Sequence, residues 1–318
     1  MILSNIKGIT IPEGAVKQIA DRAGRVLWKG GVDVAALMIG YTGDYTDQPD
    51  VVMSDGKTYR LLTLTGSGTL TLDAAVKADV WLCAGGNGGR KGGYHGGGGG
   101  NFVQADGVEL DLSTVCIIGA GATQNTSSTA SSTSTAGIGG STTFGELEVV
   151  QALGTVYPEG STSNGTHAVA CGASGGGAGG LGTSLSSVNR RGLGCGESTV
   201  PFLETDLFDP HSAGGGGGAN RDREDSIDYS GGMGGSDGAD GSSRSGTGYD
   251  GGAAGEKGGG AGGAGSSSSS TNKGGDATYY GSGGGGGGHY VSTTGTETKG
   301  NAGSGYQGVI YVRIPYEQ

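Results

Sequence analysis

The sequence predicts an all-β fold, and three observations lead to this prediction. Leu62 and Leu64 alternate with polar residues, and Leu70 and Leu72 do the same after a Gly66–Gly68 turn, which is the period of half-buried strands. Helical periodicity is almost absent after residue 60. Finally, a strand-like apolar segment follows the most glycine-dense part of the chain, so that part is expected to lie between two strands.

The composition limits what the protein can be. Of 318 residues, 77 are glycine and only 33% are hydrophobic, against roughly 45–50% in ordinary globular domains, so one core of ordinary design is excluded. No apolar run approaches the ~18 residues of a membrane helix, and we expect no membrane insertion. A formal charge of −11 disfavours nucleic acid and anionic lipid as partners. We expect no signal peptide.

The first part of the chain is predicted to be a small attachment module, residues 1–31. Val16–Ile19 and Arg25–Trp28 flank Asp21–Gly24, a pattern typical of a β-hairpin with a tight turn. Such a hairpin has too little apolar area to be stable alone, so we expect it to dock on another copy or on a partner. Residues 32–56 are interpreted as a connecting segment, whose run 34–39 fits a strand or a short helix.

Residues 57–318 are predicted to form the main domain. Three apolar runs, Val80–Ala84, Val115–Ile118 and Glu148–Leu153, are expected to be strands buried on both faces. Short strands at this spacing, joined by glycine-rich turns, predict a β-sandwich or jelly roll. The last strand, Gly308–Ile314, is expected to bury alternate residues on one face.

The glycine-rich excursion, about residues 172–305, leaves two alternatives open. Ordering a chain costs on the order of 1 kcal/mol per residue, and this stretch has few large aliphatic side chains to offset that cost. It is therefore either a disordered linker or an array of three-residue helices that bond laterally through their backbones. Strands tie down both of its ends, which favours the ordered array.

Several segments in a fixed order resemble a known pattern. They are Ala84–Gly89, Gly96–Gly100, Val115–Gly121, Gly139–Gly145 and the terminal Gly305–Arg313. Together they resemble the glycine-rich domain of phage and prophage tail-fibre or adhesin proteins, and they are similar to the glycine-rich domain of anaplastic lymphoma kinase. The resemblance implies a jelly-roll, TNF-like β-sandwich with an array of polyglycine II helices inserted before the last strand.

The same resemblance implies a function. It suggests a phage or prophage tail-fibre or baseplate-associated structural protein that presents glycine-rich loops for receptor binding on a host surface. The expected partners are further copies of the chain (a homotrimer is favoured), other tail or baseplate proteins through residues 1–31, and a host cell-surface glycan or protein. The expected location is the virion, assembled in the host cytoplasm. The alternatives are a purely structural head fibre or decoration protein without receptor binding, and a secreted glycine-rich matrix protein.

The sequence offers no pattern of catalysis. It contains no paired carboxylates in a readable context, no Ser-His-Asp or Cys-His grouping, and four scattered histidines, so we expect no enzyme, no cofactor and no metal site. None of the four cysteines has Cys-x-x-Cys spacing. Cys83 and Cys116 lie in apolar runs, and both are expected to be buried thiols.

The candidate binding residues are aromatic side chains embedded in glycine. They are Tyr94, His95, Tyr249, Tyr279, Tyr280, His289 and Tyr290. Aromatic residues among glycine and serine have the composition of binding surfaces. Because a glycine array cannot enclose a bulky ring, these rings are expected on its outside or at its tips. The alternative is that each ring merely covers the array.

Overall fold

The computed structural model describes residues 18–20, 26–29, 32–53, 55–89, 91, 96–100, 102–123, 137–150, 220–222, 227–229, 243–244, 248–249, 261 and 272–316. Within these ranges every regular element is a β-strand. In chain order the strands are β1 Gln18–Ala20, β2 Val26–Lys29, β3 Ile39–Tyr41, β4 Tyr45–Val52, β5 Thr58–Leu64, β6 Gly68–Leu72, β7 Val76–Cys83, β8 Phe102–Leu110, β9 Ser113–Ile117, β10 Thr142–Phe144, β11 Leu147–Val149, β12 Asn220–Asp222, β13 Ile227–Tyr229, β14 Ser243–Arg244, β15 Gly248–Tyr249, β16 His289–Val291, β17 Glu297–Lys299 and β18 Val309–Pro315.

The strands pair into two large sheets and three small ones. The large sheets are antiparallel and five-stranded, with the orders β4-β5-β18-β7-β8 and β11-β10-β9-β6-β3. A four-stranded sheet has the order β13-β12-β16-β17, in which β12 runs parallel to β16. The predicted hairpin is confirmed, since β1 pairs with β2 and Ile19 lies opposite Trp28.

Residues 32–56 supply a strand to each large sheet. β3 pairs with β6, and β4 pairs with β5, while the apolar run 34–39 begins as a turn and enters β3 only at its last residue. The Arg60 guanidinium fixes this turn by donating to the carbonyls of Val34 and Leu37 and to the Asp47 carboxylate. The division of the chain into domains stays a prediction.

The two large sheets share one apolar core. The predicted inward face is confirmed, because Leu62, Leu64 and Leu70 are fully buried in it. The expectation that β5 is only half-buried is wrong, since Leu61 and Thr63 on its other face are buried as well. β18 is the central strand of its sheet and pairs with β5 and β7. As predicted, it turns one face inward; the buried side chains of that face are Ile310, Val312 and Ile314.

Burial on both faces is confirmed for one apolar run and wrong for another. All of Val80–Ala84 is buried, because Trp81 packs in a second cluster on the opposite face of the sheet, with Tyr59 and Tyr311. In β9, however, Val115 and Ile117 are 60% and 50% exposed. Only Cys116 between them points into the core, so β9 is a half-buried strand.

The third apolar run, Glu148–Leu153, was expected to be a strand buried on both faces, and this is only partly so. β11 covers Leu147–Val149, with Val149 buried and Val150 more than half exposed, so this strand too has one open face. Residues 151–153 of the expected strand lie outside the described residues.

An ion pair joins the central strand β18 to β7, and its carboxylate also holds the edge strand β8. The Arg313 Nε lies 2.7 Å from Asp79 Oδ2, and its guanidinium carbon lies 4.9 Å above the Tyr59 ring. The other Asp79 oxygen accepts the Gly107 N–H at 2.8 Å. Gly107 has a φ of 64°, where β8 shifts register against β7, and a glycine adopts this bulge geometry without strain.

Seven extended segments pack beside the sheets and bond to one another through their backbones. They are residues 84–89, 96–100, 118–123, 137–141, 272–278, 281–288 and 300–308. The bonding repeats every three residues. In segment 84–89 the N–H groups of Gly85 and Gly88 donate to segment 137–141, those of Gly86 and Gly89 to segment 300–308, and that of Asn87 to segment 96–100.

The same period holds in the other segments. The N–H groups of Gly300, Gly303 and Tyr306 donate to Gly288, Gly285 and Ser282 of segment 281–288. Segment 300–308 also donates to segment 118–123, through Gly305 and Gly308. Successive residues therefore face different neighbours, and each segment is bonded on several sides.

The spacing of the segments leaves no room for side chains between them. A Cβ on Gly86 would collide with the Ser282 carbonyl, and one on Gly303 would collide with the Gly275 carbonyl. Gly275 itself has more space, since the nearest atom to its Cβ position is the Ala261 nitrogen at 3.1 Å. Glycine at the tight positions is therefore a packing requirement.

We expect Gly303→Ala to lower the free energy of unfolding by about 3 kcal/mol or more, because the added methyl overpacks two backbones that cannot move apart. Gly275→Ala is the matched control and should cost clearly less. Urea denaturation of both variants measures the difference. Equal effects would contradict the packing requirement.

Candidate functional site

The predicted binding residues lie at opposite ends of one glycine segment. Tyr279 and Tyr280 precede segment 281–288, and His289 and Tyr290 follow it. Eight extended residues at about 3.1 Å per residue span roughly 25 Å. Tyr249 belongs to β15, where it lies opposite Ser243, and Tyr94 and His95 lie outside the described residues. The structure thus brings four of the five described candidates together in two pairs and leaves Tyr249 apart from them.

We call the end of segment 281–288 at Gly281 its near end and the end at Gly288 its far end. The near end carries three tyrosines in contact, Tyr279, Tyr280 and Tyr306, which we call the Tyr cluster. The Tyr279 and Tyr280 ring centroids are 5.6 Å apart, and those of Tyr280 and Tyr306 are also 5.6 Å apart, both edge to face. Tyr280 packs against the buried cluster that contains Trp81, and burial raises the pKa of its hydroxyl. Tyr306 is 39% exposed.

The backbone around Tyr306 is fixed on both sides. Its N–H donates to the Ser282 carbonyl at 2.9 Å, and its carbonyl accepts the Gly86 N–H at 2.8 Å. The next side chain, Gln307, donates from Nε2 to the Thr65 carbonyl at 2.6 Å. The exposed ring of Tyr306 is therefore held by the glycine segments on one side and by the loop after β5 on the other.

Two rows of polar side chains lead away from the Tyr cluster. The three-residue period places Lys273, Asp276 and Tyr279 in one row and Asn301, Ser304 and Gln307 in the other. Their segments are parallel neighbours, since Gly274 and Ala277 donate to the carbonyls of Asn301 and Ser304. The Asp276 carboxylate joins the rows by accepting the Ser304 N–H at 2.7 Å. We call these two rows the polar flank.

The far end is a hairpin of β16 and β17, residues 289–299, which we call the end hairpin. His289 lies opposite Lys299, and Tyr290 lies opposite Thr298. The Glu297 carboxylate lies 2.7 Å from His289 Nε2 and 2.7 Å from Lys299 Nζ. Hydrogen bonding to Lys299 is the main cause that holds the pKa of Glu297 below its ordinary value.

Tyr290 lies in the middle of the four-stranded sheet. It pairs with Thr298 of β17 on one side and with Arg221 of β12 on the other, and its side chain is half-buried. His289 and Val291 are its neighbours along β16, so they lie on the other face. Tyr290 is thereby separated from the ion pairs of Glu297.

Among the described residues, no group of three or more His, Cys, Asp and Glu side chains could hold a metal ion. No helix in this part of the chain is long and apolar enough to cross a membrane.

Cys83 and Cys116 are buried thiols, as predicted, and burial raises the pKa of Cys116 to about 11. Such a thiol is protonated at neutral pH and is a poor nucleophile.

Tyr306 and the polar flank were missed by the sequence analysis. The sequence feature that indicates the polar flank is the three-residue spacing of Asn301, Ser304 and Gln307 within a glycine segment. It could have been found only by reading this segment with a period of three, because periods of 2 and 3.6 do not align these residues.

Comparison with known proteins identifies the family. The glycine-rich domain family matches residues 63–315, which is most of the chain, and the chain belongs to this family. No curated protein and no solved structure matches significantly.

We expect the carboxyl of Glu297 to titrate below its ordinary range, and Lys299→Ala to raise its pKa toward the ordinary value. A carboxyl with a lowered folded-state pKa stabilises the fold above its unfolded-state pKa and loses this contribution as the pH falls through the folded-state value. Since Glu297 is about half exposed, the effect on the free energy of unfolding should be at most a few tenths of a kcal/mol. A carbon NMR titration measures the pKa, and an ordinary midpoint in the unmutated chain would contradict the ion pairs.

Proposed function

We propose that this chain is a phage or prophage tail-fibre or baseplate-associated structural protein whose glycine-rich part presents loops to a receptor on a host surface. The observation that supports the proposal best is the position of the end hairpin. It connects segments 281–288 and 300–308, which bond to each other at three-residue intervals and lead into the central strand β18. A hairpin mounted in this way is displayed at a fixed place far from the core.

The proposal includes a finer description of the fold. We propose that the seven extended segments are polyglycine II helices and that the two five-stranded sheets form a jelly-roll, TNF-like sandwich. The three-residue period of the backbone bonds supports the first statement, because polyglycine II has three residues per turn and no internal hydrogen bonds. The shared apolar core of the two sheets supports the second.

Rigid display suits a protein that works by binding. Each mobile side chain that becomes ordered on binding costs about 0.5–1.5 kcal/mol. Backbone bonds already order the segments beneath the end hairpin, so less of this cost remains to be met when a receptor binds. The proposed partners are a cell-surface glycan or protein at this end, other tail or baseplate proteins at residues 1–31, and two further copies of the chain in a trimer within the virion.

A second candidate is a purely structural virion component without a receptor. One observation favours it, which is the open outer face of the β11-β10-β9-β6-β3 sheet. Val115 and Ile117 are exposed there, and Thr69 and Thr143 lie beside them in the sheet. An exposed apolar patch of this kind is typical of a protein contact, as expected in a head fibre or a decoration protein.

The backbone array predicts slow hydrogen exchange for the amides of Gly284, Gly285 and Gly288, because each donates to a neighbouring segment. The amide of Thr293 in the exposed turn of the end hairpin is the internal reference and should exchange fast. Exchange measured by NMR decides between an array and a linker. Fast exchange of all three glycine amides would contradict the array.

For receptor binding we expect Tyr290→Ala to weaken binding of the purified protein to bacterial cells by about 1–3 kcal/mol, with little change in melting temperature. Tyr280→Ala should instead lower the melting temperature, because its ring packs on the buried cluster around Trp81. Ile117→Ala removes an exposed side chain from the sheet and is the control.

Cell binding across a panel of strains, measured together with thermal denaturation, separates the two candidates. Binding that survives Tyr290→Ala would contradict a receptor surface at the end hairpin. A wild-type protein that binds no strain, together with a particle-assembly defect in Ile117→Ala, would favour the structural component.

A further inference from the structure

We propose that the Tyr cluster and the polar flank form a second binding site, which takes an uncharged carbohydrate chain. The Tyr cluster lies at the near end of segment 281–288. The polar flank runs from there along the segment as far as Lys273 and Asn301, which lie level with its last residues because Gly288 donates to the Asn272 carbonyl and accepts from the Gly300 N–H. The site shares no residue with the end hairpin, so its test is separate from that of the receptor role.

The exposed ring of Tyr306 supplies the apolar part of the site. An aromatic ring offers a flat face against the C–H groups of a sugar and a hydroxyl that can hydrogen-bond to it. The edge-to-face contact with Tyr280 fixes the ring orientation, and backbone bonds on both sides of Tyr306 fix its position. The ring is therefore pre-organised, which lowers the cost of binding.

The polar flank supplies hydrogen-bonding groups in two parallel rows. Lys273, Asp276 and Asn301 are exposed, and they offer an ammonium, a carboxylate and an amide. Within each row the side chains recur every three residues, or about every 9 Å at the rise of a three-residue helix. A repeat of this length along a straight, rigid surface fits an extended chain better than a single small ligand.

Charge and polarity indicate the class of ligand. The charges of Lys273 and Asp276 cancel within the flank, while the whole chain carries a formal charge of −11 and repels polyanions. The residues that define the flank include no aliphatic side chain that could hold a lipid or an apolar peptide. Hydroxyl-rich, uncharged sugars are the ligands that match a neutral polar surface beside an exposed ring.

The test uses the full chain on an array of immobilised oligosaccharides. The neutral probes are chains of glucose, galactose, mannose and N-acetylglucosamine, and chains that contain uronic acid are the charged comparison. We expect binding to at least one neutral chain, followed by calorimetric titration with that oligosaccharide. Tyr306→Ala should weaken it about tenfold or more, whereas Tyr306→Phe should retain most of the affinity because it keeps the ring.

Two further variants keep the result interpretable. Tyr290→Ala, at the end hairpin, should leave oligosaccharide affinity unchanged, so that a failure of the receptor proposal is distinguishable from a failure of this one. Asn301→Ala removes an exposed side-chain amide but keeps the backbone carbonyl that accepts the Gly274 N–H. It should weaken oligosaccharide binding about threefold, and it tests the site even if Tyr306→Ala proves unstable. The proposal is overturned if the wild-type chain binds no neutral oligosaccharide, if it prefers the uronic-acid chains, or if neither Tyr306→Ala nor Asn301→Ala lowers the affinity.

Discussion

The backbone hydrogen bond between neighbouring glycine segments is the interaction on which the rest of the structure depends. The bonds of these extended segments run between segments, so neighbouring backbones have to satisfy their amides and carbonyls once they are buried. Segment 84–89 shows how this is done, since its successive N–H groups donate to three different segments in turn. In this way a chain with 33% hydrophobic residues orders backbone that apolar burial could not hold.

The array is continuous with the apolar core, and β18 makes the connection. Gly308 donates to the Gly119 carbonyl in the array, and the next residue, Val309, begins the central strand between β5 and β7. Thr142 ties the same region together, because its hydroxyl accepts the Gly119 N–H and donates to the Cys83 carbonyl. The array therefore gains the anchoring that its modest net hydrogen-bond energy requires, and the sheet is completed by the last strand of the chain.

Much of the fold could be predicted from the sequence because side-chain burial has a period. The alternation of Ile310 and Val312 and the unbroken run at Val80–Ala84 both gave the correct burial. The same reasoning failed at Val115–Ile118, because a short apolar run does not reveal whether a second layer covers its other face. The candidate site was harder to predict. Its rings could be named from composition, but their division between two ends and the role of Tyr306 depend on which segments become neighbours, and glycine carries no side-chain signal for that pairing.

The Tyr cluster and the end hairpin lie at the two ends of one stiff segment, and this arrangement changes what glycine contributes to the protein. A flexible glycine-rich linker of eight residues would have a root-mean-square end-to-end distance of only about 16 Å and would sample many shorter ones. In the array the same eight residues are held extended over about 25 Å, at about 3.1 Å per residue, by bonds from Gly284, Gly285 and Gly288 to three residues of neighbouring segments. The Tyr306 ring and the end hairpin, held at this separation, can act together only on surfaces whose features match it. Glycine, the residue with the most conformational freedom in an isolated chain, here fixes a distance because its missing side chain lets other backbones surround it.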